Sequence, residues 1–158
     1  MKSLVVYYSR SGNSKFVAQT IAEKIGADIE DVIDKKNRRG RLGFLTAGFD
    51  ATRGKETQIE ETKFQPKNYD LIVVGTPIWN SRPTPAIRTY LNKNDLSGQK
   101  VALFCTLDGS NEEKVTANIK KLLPNGNIIS TLAVEKALKN PEEAKSKILA
   151  WCSNLASA

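Results

Sequence analysis

The strongest constraint on the fold is an alternation of short apolar runs with longer amphipathic segments. Residues 3–8, 70–76 and 100–106 have the length and composition of strands that are buried on both faces. Residues 28–34 and 127–134 are predicted to add two more strands, and the first of these is polar enough to lie at a sheet edge. Because helical segments separate the runs, the pattern predicts a parallel sheet with right-handed crossovers and helices on both faces.

Four segments carry clear helix signals. The apolar stripe of residues 14–25 is followed by Gly26, which suits a left-handed helix end. Pro85 is placed for the first turn of a second helix, which is predicted to end near residue 92. Residues 110–113 form a capping box, and an asparagine and a proline at 140–141 precede the last helix.

The interval between the second and third predicted strands is the least regular part of the chain. Apolar residues at helical spacing predict a helix over 40–53, although glycines interrupt it. Residues 54–68 are polar and without period, so they are predicted to form a surface loop. With 158 residues, the whole chain (1–158) is predicted to be one α/β domain of five strands and five helices.

The composition argues against several kinds of site. The chain has no histidine, which removes Ser-His and Cys-His nucleophiles and imidazole metal ligands. Cys105 and Cys152 lie far apart in apolar surroundings, which favours buried thiols over a disulfide or a metal site. No leader pattern follows Met1 and no long apolar run occurs, so a soluble cytoplasmic protein is expected. We therefore expect the chemistry to come from a bound cofactor.

The formal net charge of +7 raises the question of an acidic partner. Basic residues are spread along the chain and are densest at residues 35–41, Lys-Lys-Asn-Arg-Arg-Gly-Arg. A nucleic-acid footprint is one interpretation of this segment. A solvated loop is favoured, because no aromatic residue alternates with the basic ones.

Three loops are expected to form the functional site. In a doubly wound sheet, ligands bind outside the carboxyl ends of the strands, where the strand order reverses. The loops in that position are residues 9–14, 76–82 and 106–110, after the first, third and fourth predicted strands. We call them the first, second and third loops.

The first loop has the chemistry of an anion site. It delivers the chain to a helix N-terminus, where backbone amides lack partners and the helix dipole is positive. The hydroxyls of Ser9, Ser11 and Ser14 are expected to donate to phosphate oxygens. The Asn13 amide adds a donor, and Gly12 lets the backbone approach closely. A simple helix cap would explain one of these residues but not five.

Three familiar phosphate-binding patterns do not match. The G-x-G-x-x-G fingerprint of dinucleotide folds and the G-x-x-x-x-G-K-[ST] phosphate loop are both absent. The receiver module of response regulators needs acidic residues after its first and middle strands. Ser9-Arg10 and Gly75-Thr76 occupy those places here.

Three segments resemble flavodoxins. Residues 8–14, Tyr-Ser-Arg-Ser-Gly-Asn-Ser, are similar to the flavodoxin phosphate loop. Residues 73–88 resemble the second flavin loop and the helix after it, and residues 40–54 resemble a stretch of short flavodoxin-like proteins of bacteria and archaea. The resemblance covers nearly the whole chain. It implies a flavodoxin-like fold, a doubly wound five-stranded parallel sheet in the order 2-1-3-4-5.

The resemblance also implies a non-covalent FMN, with its phosphate in the first loop and its isoalloxazine ring between the other two. Trp79, expected on an exposed loop, would stack on the ring, and Thr76 would touch the phosphate or the ribityl chain. The backbone of residues 107–109 would face the pyrimidine edge of the flavin. No catalytic or metal-binding residue is expected. The implied cofactor-binding residues are Ser9, Arg10, Ser11, Gly12, Asn13, Ser14, Thr76, Pro77, Ile78, Trp79, Asn80, Thr106, Leu107, Asp108 and Gly109.

The chain departs from familiar flavodoxins at three points. The third loop lacks the tyrosine that many flavodoxins stack on the second flavin face, so that face is expected to be open. Asn80 stands where a glycine is frequent, and asparagine tolerates left-handed geometry. The chain is basic where familiar flavodoxins are acidic. Arg10 and Arg82 are therefore expected to raise the flavin potential and to favour partners with acidic docking faces.

These expectations leave two redox functions open. The first is an FMN-dependent electron-transfer protein that shuttles electrons between redox partner proteins. The second is an FMN-dependent oxidoreductase that acts on quinones or NAD(P)H at the open flavin face. A basic nucleic-acid-binding module is disfavoured, and a monomer or a homodimer is expected.

Overall fold

The computed structural model describes residues 1–36, 50, 53, 55–109 and 112–155. The strands are β1 (Ser3–Tyr7), β2 (Asp28–Asp31), β3 (Leu71–Trp79), β4 (Arg82–Pro83), β5 (Lys100–Leu107) and β6 (Asn127–Glu135). The helices are α1 (Asn13–Ile25), α2 (Pro85–Lys93), α3 (Glu112–Lys120) and α4 (Pro141–Leu155), with a short 3-10 helix at Pro66–Asn68.

The sheet has the predicted topology. Its order is β2-β1-β3-β5-β6, all parallel, and the two-residue strand β4 pairs antiparallel with β3. Counted over the five parallel strands, this order is the predicted 2-1-3-4-5. Because the chain order reverses between β1 and β3, the carboxyl ends of these two strands border the crevice in which such folds bind ligands.

The core lies on both faces of the sheet. In the central strands Val5 pairs with Val73 and Val73 pairs with Ala102, and all three belong to the cluster that packs against α1 and α4. The alternate positions, such as Leu4 and Ile72, face the opposite cluster with α2 and α3. The middle positions of the central strands are therefore apolar on both faces, as the sequence pattern predicts, and polar residues such as Ser3, Thr76 and Thr106 lie towards the strand ends.

Helix α1 follows its predicted pattern closely. Val17, Ala18 and Ile21 are completely buried. The helix ends at Gly26, which has φ 64 and donates its N–H to the Ala22 carbonyl. The predicted left-handed helix end is confirmed.

The largest departure from the sequence-based prediction is at the end of β3. This segment was expected to turn after Thr76, but the strand continues to Trp79 and folds back as β4. Asn80 and Ser81, at φ 49 and φ 60, form the two-residue turn between them. Left-handed backbone at both positions matches the twist of a hairpin. The left-handed geometry expected for Asn80 is confirmed.

Strand β2 and the segment after it also differ from expectation. β2 ends at Asp31 rather than at residue 34, and the chain then makes an isolated bridge between Asp34 and Ile59. Buried Glu30 accepts the N–H groups of Lys63 and Phe64 at 2.7 and 2.9 Å. The described part of the 54–68 segment is a loop, as predicted, except for the 3-10 helix at Pro66–Asn68, and a carboxylate ties it to the sheet edge.

Two predicted features fall wholly or partly outside the described residues. Only residues 50 and 53 of the predicted 40–53 helix are described, and the start of the capping box at residues 110–111 is not. At the last helix, the Ala144 N–H donates to the Asn140 carbonyl at 3.0 Å, so Asn140 caps α4 as predicted. No helix in the described ranges is long and apolar enough to cross a membrane.

Candidate functional site

The first, second and third loops converge at the carboxyl edge of the sheet. The hydroxyl oxygens of Ser14 and Thr106 lie 2.7 Å apart and join the first loop to the third. The Tyr8 N–H donates to the Gly75 carbonyl at 3.2 Å and joins β1 to β3 just before both strands end. The predicted meeting of the three loops is therefore observed.

The first loop leads into backbone amides that lack helical partners at the start of α1. The first helical bond runs from the Phe16 N–H to the Gly12 carbonyl at 2.9 Å, so the amides at residues 13–15 have no carbonyl partner within the helix. Gly12 precedes the helix with φ 96 and donates its own N–H to the Ser9 hydroxyl at 3.1 Å. Because that oxygen acts as an acceptor, the Ser9 hydroxyl keeps its hydrogen for an outside acceptor. No carboxylate occurs in residues 9–14. This end of α1 suits an anion.

The Asn13 side chain has two partners within the protein. Its Nδ2 donates to the Ser11 hydroxyl at 3.2 Å, and its Oδ1 accepts the Leu138 N–H at 3.0 Å. The side chain expected to donate to a phosphate is thus engaged within the protein. Exposed Ser11 keeps its hydroxyl hydrogen for a ligand, since its oxygen acts as acceptor toward Asn13.

Ser14 differs from the other two serines in its burial. It is 1% exposed, and Thr106, its hydroxyl partner, is 5% exposed. One of the two hydroxyls donates its hydrogen to the other. Ser14 therefore contributes its backbone amide to the set of donors in the first loop, while its side chain holds the third loop in place through Thr106.

Thr76 is turned into the protein. It is 1% exposed, its hydroxyl accepts the Thr84 N–H at 3.1 Å, and it donates to the Pro77 carbonyl at 2.9 Å. The Thr84 hydroxyl lies 3.2 Å away. These bonds engage the Thr76 hydroxyl within the protein and hold the junction between β3 and α2, and the contact of Thr76 with the phosphate or the ribityl chain stays a prediction.

Trp79 is the last residue of β3 and is 8% exposed, so its expected position on an exposed loop is wrong. The Tyr8 ring meets it edge-on, with centroids 5.7 Å apart and an interplanar angle of 86°. The Arg10 guanidinium carbon lies 6.0 Å from the centroid of the Trp79 ring. Trp79 is therefore packed beside the first loop, at the mouth between β1 and β3.

The rest of the second and third loops is partly exposed. Pro77 and Ile78 are half-buried, and Asn80 is exposed at the hairpin tip. In the third loop Leu107 is buried, whereas Asp108 and Gly109 are exposed. Gly109 has φ 90, a backbone conformation that favours glycine.

Two residues at this edge were missed by sequence reasoning. Asn118 of α3 donates its side-chain N–H to the Ser81 carbonyl at 2.8 Å and so ties down the hairpin tip. The Leu138 N–H is the donor to Asn13. Neither residue stands in a recognisable motif, and only the tertiary fold brings them to the loops.

Burial constrains the chemistry of one arginine and of both cysteines. Burial, followed by the charge of Arg82, lowers the pKa of Arg88. Cys105 is buried, as predicted, and takes part in no disulfide within the described residues. Burial raises the pKa of Cys152 to about 11, which disfavours its thiolate. Over the described ranges, no three acidic or cysteine residues are grouped to hold a metal ion.

Two concavities lie at the opposite, amino-terminal edge of the sheet. One, of about 600 Å³, is lined by strand starts such as Asp70 and Lys100. The other, of about 380 Å³, lies between residues 91–97 and 122–126. The convergent amides and hydroxyls are at the carboxyl edge instead, and doubly wound folds bind ligands there.

Comparisons with known proteins agree with this geometry. The family model described as "Flavodoxin" matches residues 2–155. A flavoprotein in complex with FMN from Lactobacillus acidophilus NCFM is 24% identical, with a TM-score of 0.73 over 90% of this chain and 97% of that chain. A putative flavoprotein from Bacteroides eggerthii DSM 20697 is 22% identical, with a TM-score of 0.78 over 98% of both chains. Oxidised Flavodoxin 2 from Bacillus cereus is 21% identical, with a TM-score of 0.66 over 99% of both chains. These solved structures share the fold.

Proposed function

Because this chain belongs to the flavodoxin family, we propose that it binds FMN non-covalently and shuttles electrons between redox partners. The observation that carries the proposal is the convergence of the first, second and third loops on one edge. There the free amides of α1 lie beside a tryptophan and an open third loop. Bound FMN would supply the redox chemistry, because cofactors and not ordinary side chains carry electrons and hydride in proteins.

The first loop fits the phosphate of FMN. The amides of residues 13–15 and the hydroxyls of Ser9 and Ser11 are donors, and the loop contains no carboxylate that would repel a dianion. The left-handed conformation of Gly12 exposes the backbone without a side chain between it and the ligand. Arg10 adds a positive charge. We infer that this loop neutralises and orients the phosphate.

The flavin ring is proposed to lie at the mouth between the second and third loops. Trp79 is the aromatic residue proposed to contact it. An aromatic pair of this kind stabilises the complex by ~0.5–1.5 kcal/mol beyond the effect of burying apolar area. Because Arg10 lies over the Trp79 ring, the arginine must share or yield that face when a flavin stacks there. The backbone of residues 107–109 is proposed to face the pyrimidine edge, where exposed Asp108 and Gly109 leave room.

The charge of the site bears on its potential and its partners. Arg10 and Arg82 flank the end of β3, and cations close to a flavin favour its reduced, anionic form. We infer a higher potential than an acidic flavodoxin would have. Long-range attraction would also steer partners that carry acidic docking faces.

The alternative is an FMN-dependent oxidoreductase that acts on quinones or NAD(P)H. The observation in its favour is the third loop, because residues 106–109 contain no aromatic side chain to cover a flavin face. Stopped-flow mixing separates the two functions. Fast reoxidation of the reduced protein by quinones, or fast reduction by NAD(P)H alone, supports the enzyme. Slow reaction with both, together with fast exchange with a redox protein, supports the carrier.

A nucleic-acid-binding function has no support from the described part of the basic 35–41 segment. Within that segment Lys36 pairs with Asp50 at 2.7 Å, and residues 37–41 lie outside the described residues. Absent or salt-insensitive DNA and RNA binding would exclude this function. Cytoplasmic location and a monomeric or homodimeric state remain proposals, which fractionation and light scattering can test.

The proposal is tested most simply by the cofactor of the purified protein. Yellow protein whose flavin is released on denaturation and has the mass of FMN is the expected result. A colourless protein that also fails to take up added FMN would refute the proposed function and leave the fold alone.

A further inference from the structure

The turn after β6, residues 136–140, forms an additional wall of the carboxyl edge. The Lys136 N–H donates to the Leu107 carbonyl at 3.0 Å, and the Asn140 N–H donates to the Lys136 carbonyl at 3.1 Å. Lys136 itself has φ 45. One end of the turn is thereby fixed to the third loop and the other to the start of α4. The amide of Leu138 is held between these two anchors.

Asn13 connects this turn to the first loop. Its Oδ1 accepts the Leu138 N–H at 3.0 Å, across 125 residues of sequence, and its Nδ2 donates to the Ser11 hydroxyl at 3.2 Å. A side chain whose two polar atoms both have protein partners is suited to orienting a loop. Asn13 thereby fixes the hydroxyl of Ser11, one of the outward donors.

The Leu138 side chain lies against the same loop. Its Cδ1 is 3.2 Å from the position that a Cβ on Gly12 would occupy, and Gly12 has φ 96. Leu138 is nevertheless 50% exposed, so it contributes little to the core. Its position limits how far the Gly12 backbone can move, and this backbone precedes the free amides of α1.

We propose that Asn13 and Leu138 are positioning residues for the phosphate of the bound cofactor. This inference rests on the proposed function. Asn13 bonds to Ser11 and Leu138 lies beside Gly12, both in the first loop, so the two residues act on the phosphate end of the ligand and not on the ring. FMN binding therefore depends on both residues. Riboflavin, which has the same ring and no phosphate, does not depend on them.

The test is a comparison of FMN and riboflavin dissociation constants, measured by flavin fluorescence quenching. Asn13→Ala removes both bonds of the amide, and Leu138→Ala removes the contact with Gly12. Each is expected to weaken FMN binding about three- to tenfold, the loss of roughly one ordinary hydrogen bond or contact, with riboflavin changed less than about twofold. Ile33→Ala is the matched control, because Ile33 is a similarly exposed apolar residue, 41% exposed, near the edge strand β2.

Equal loss of affinity for both flavins, or no loss for either, would overturn the inference. Leu138→Ala changes an exposed side chain, so it keeps the test valid if Asn13→Ala proves unstable. Loss of FMN affinity in Ile33→Ala would show that the effect is not specific to the turn and would also overturn it. A wild-type protein that binds neither flavin is a separate result, which refutes the proposed function and the inference together.

Discussion

The buried hydroxyl pair between Ser14 and Thr106 gives a quantitative test of how the first and third loops are joined. The two oxygens are 2.7 Å apart, and the residues are 1% and 5% exposed. Ser14→Ala or Thr106→Val leaves the other hydroxyl buried without this partner, at a cost of about 1–3 kcal/mol. The double variant leaves no such orphan. We therefore expect it to lose less than the sum of the single losses, by about 1 kcal/mol or more.

Urea unfolding, followed by tryptophan fluorescence, measures the free energy of unfolding of the wild type, the two single variants and the double variant. In a domain of this size, 1 kcal/mol corresponds to about 2–4 °C in Tm, so thermal unfolding provides an independent check. Thr131→Val on the neighbouring strand β6 is the control, because Thr131 is half-buried and its side chain makes no hydrogen bond among the described residues; the substitution is expected to change stability by less than about 0.5 kcal/mol. Strictly additive losses, or single variants as stable as the wild type, would refute the reasoning.

Gly75→Ala is expected to lower the free energy of unfolding by at least the ~1–3 kcal/mol typical of an overpacked core, because its Cβ would lie 1.9 Å from Cζ of buried Phe104. Gly98→Ala, with nothing within 4 Å, is the control, and equal urea midpoints would contradict the prediction. Burial raises the pKa of Tyr7 from its ordinary 10.0 to about 12, so stability present below pH 10 is expected to fall between pH 10 and 12. In urea titrations at several pH values, Tyr7→Phe should lose less stability between pH 10 and 12 than the wild type does. An equal loss in the two proteins would contradict this prediction. Arg82→Ala is expected to lower the potential of bound FMN by roughly 20–70 mV, for a charge about 10 Å away, whereas Arg82→Lys should not. An unchanged or higher potential in redox titration would contradict this prediction.

Much of the fold follows from periodicity and punctuation. The apolar runs locate β1, β3, β5 and β6 to within a few residues, because strands buried on both faces consist mainly of apolar residues. Gly26 and Asn140 locate two helix ends through local backbone rules. The arrangement of the strands follows from the alternation with helices.

The hairpin after β3 was missed for a local reason. A two-residue hairpin is usually signalled by Asn-Gly or Asp-Gly, whereas this chain has Asn80 followed by Ser81. The polar residues after Trp79 made it resemble a loop residue. The extra strand β4 instead holds it at the end of β3, under Arg10.

The side-chain roles within the site depend on distant contacts that no local pattern reveals. Sequence reasoning identifies the first loop as a donor-rich helix start, and the amides and the Ser9 and Ser11 hydroxyls agree with that view. It does not reveal that Ser14 is hydrogen-bonded to Thr106, 92 positions away, or that Asn13 accepts a hydrogen bond from Leu138, 125 positions away. Polar residues in one short loop thus divide into those available to a ligand and those that hold the loop.

A crystal structure of the protein with FMN would decide where the cofactor binds. We expect the phosphate within hydrogen-bonding distance of the amides of residues 13–15 and of the Ser9 and Ser11 hydroxyls, with the ring between Trp79 and residues 107–109. A phosphate bound elsewhere, with the first loop in contact only with solvent, would contradict this expectation.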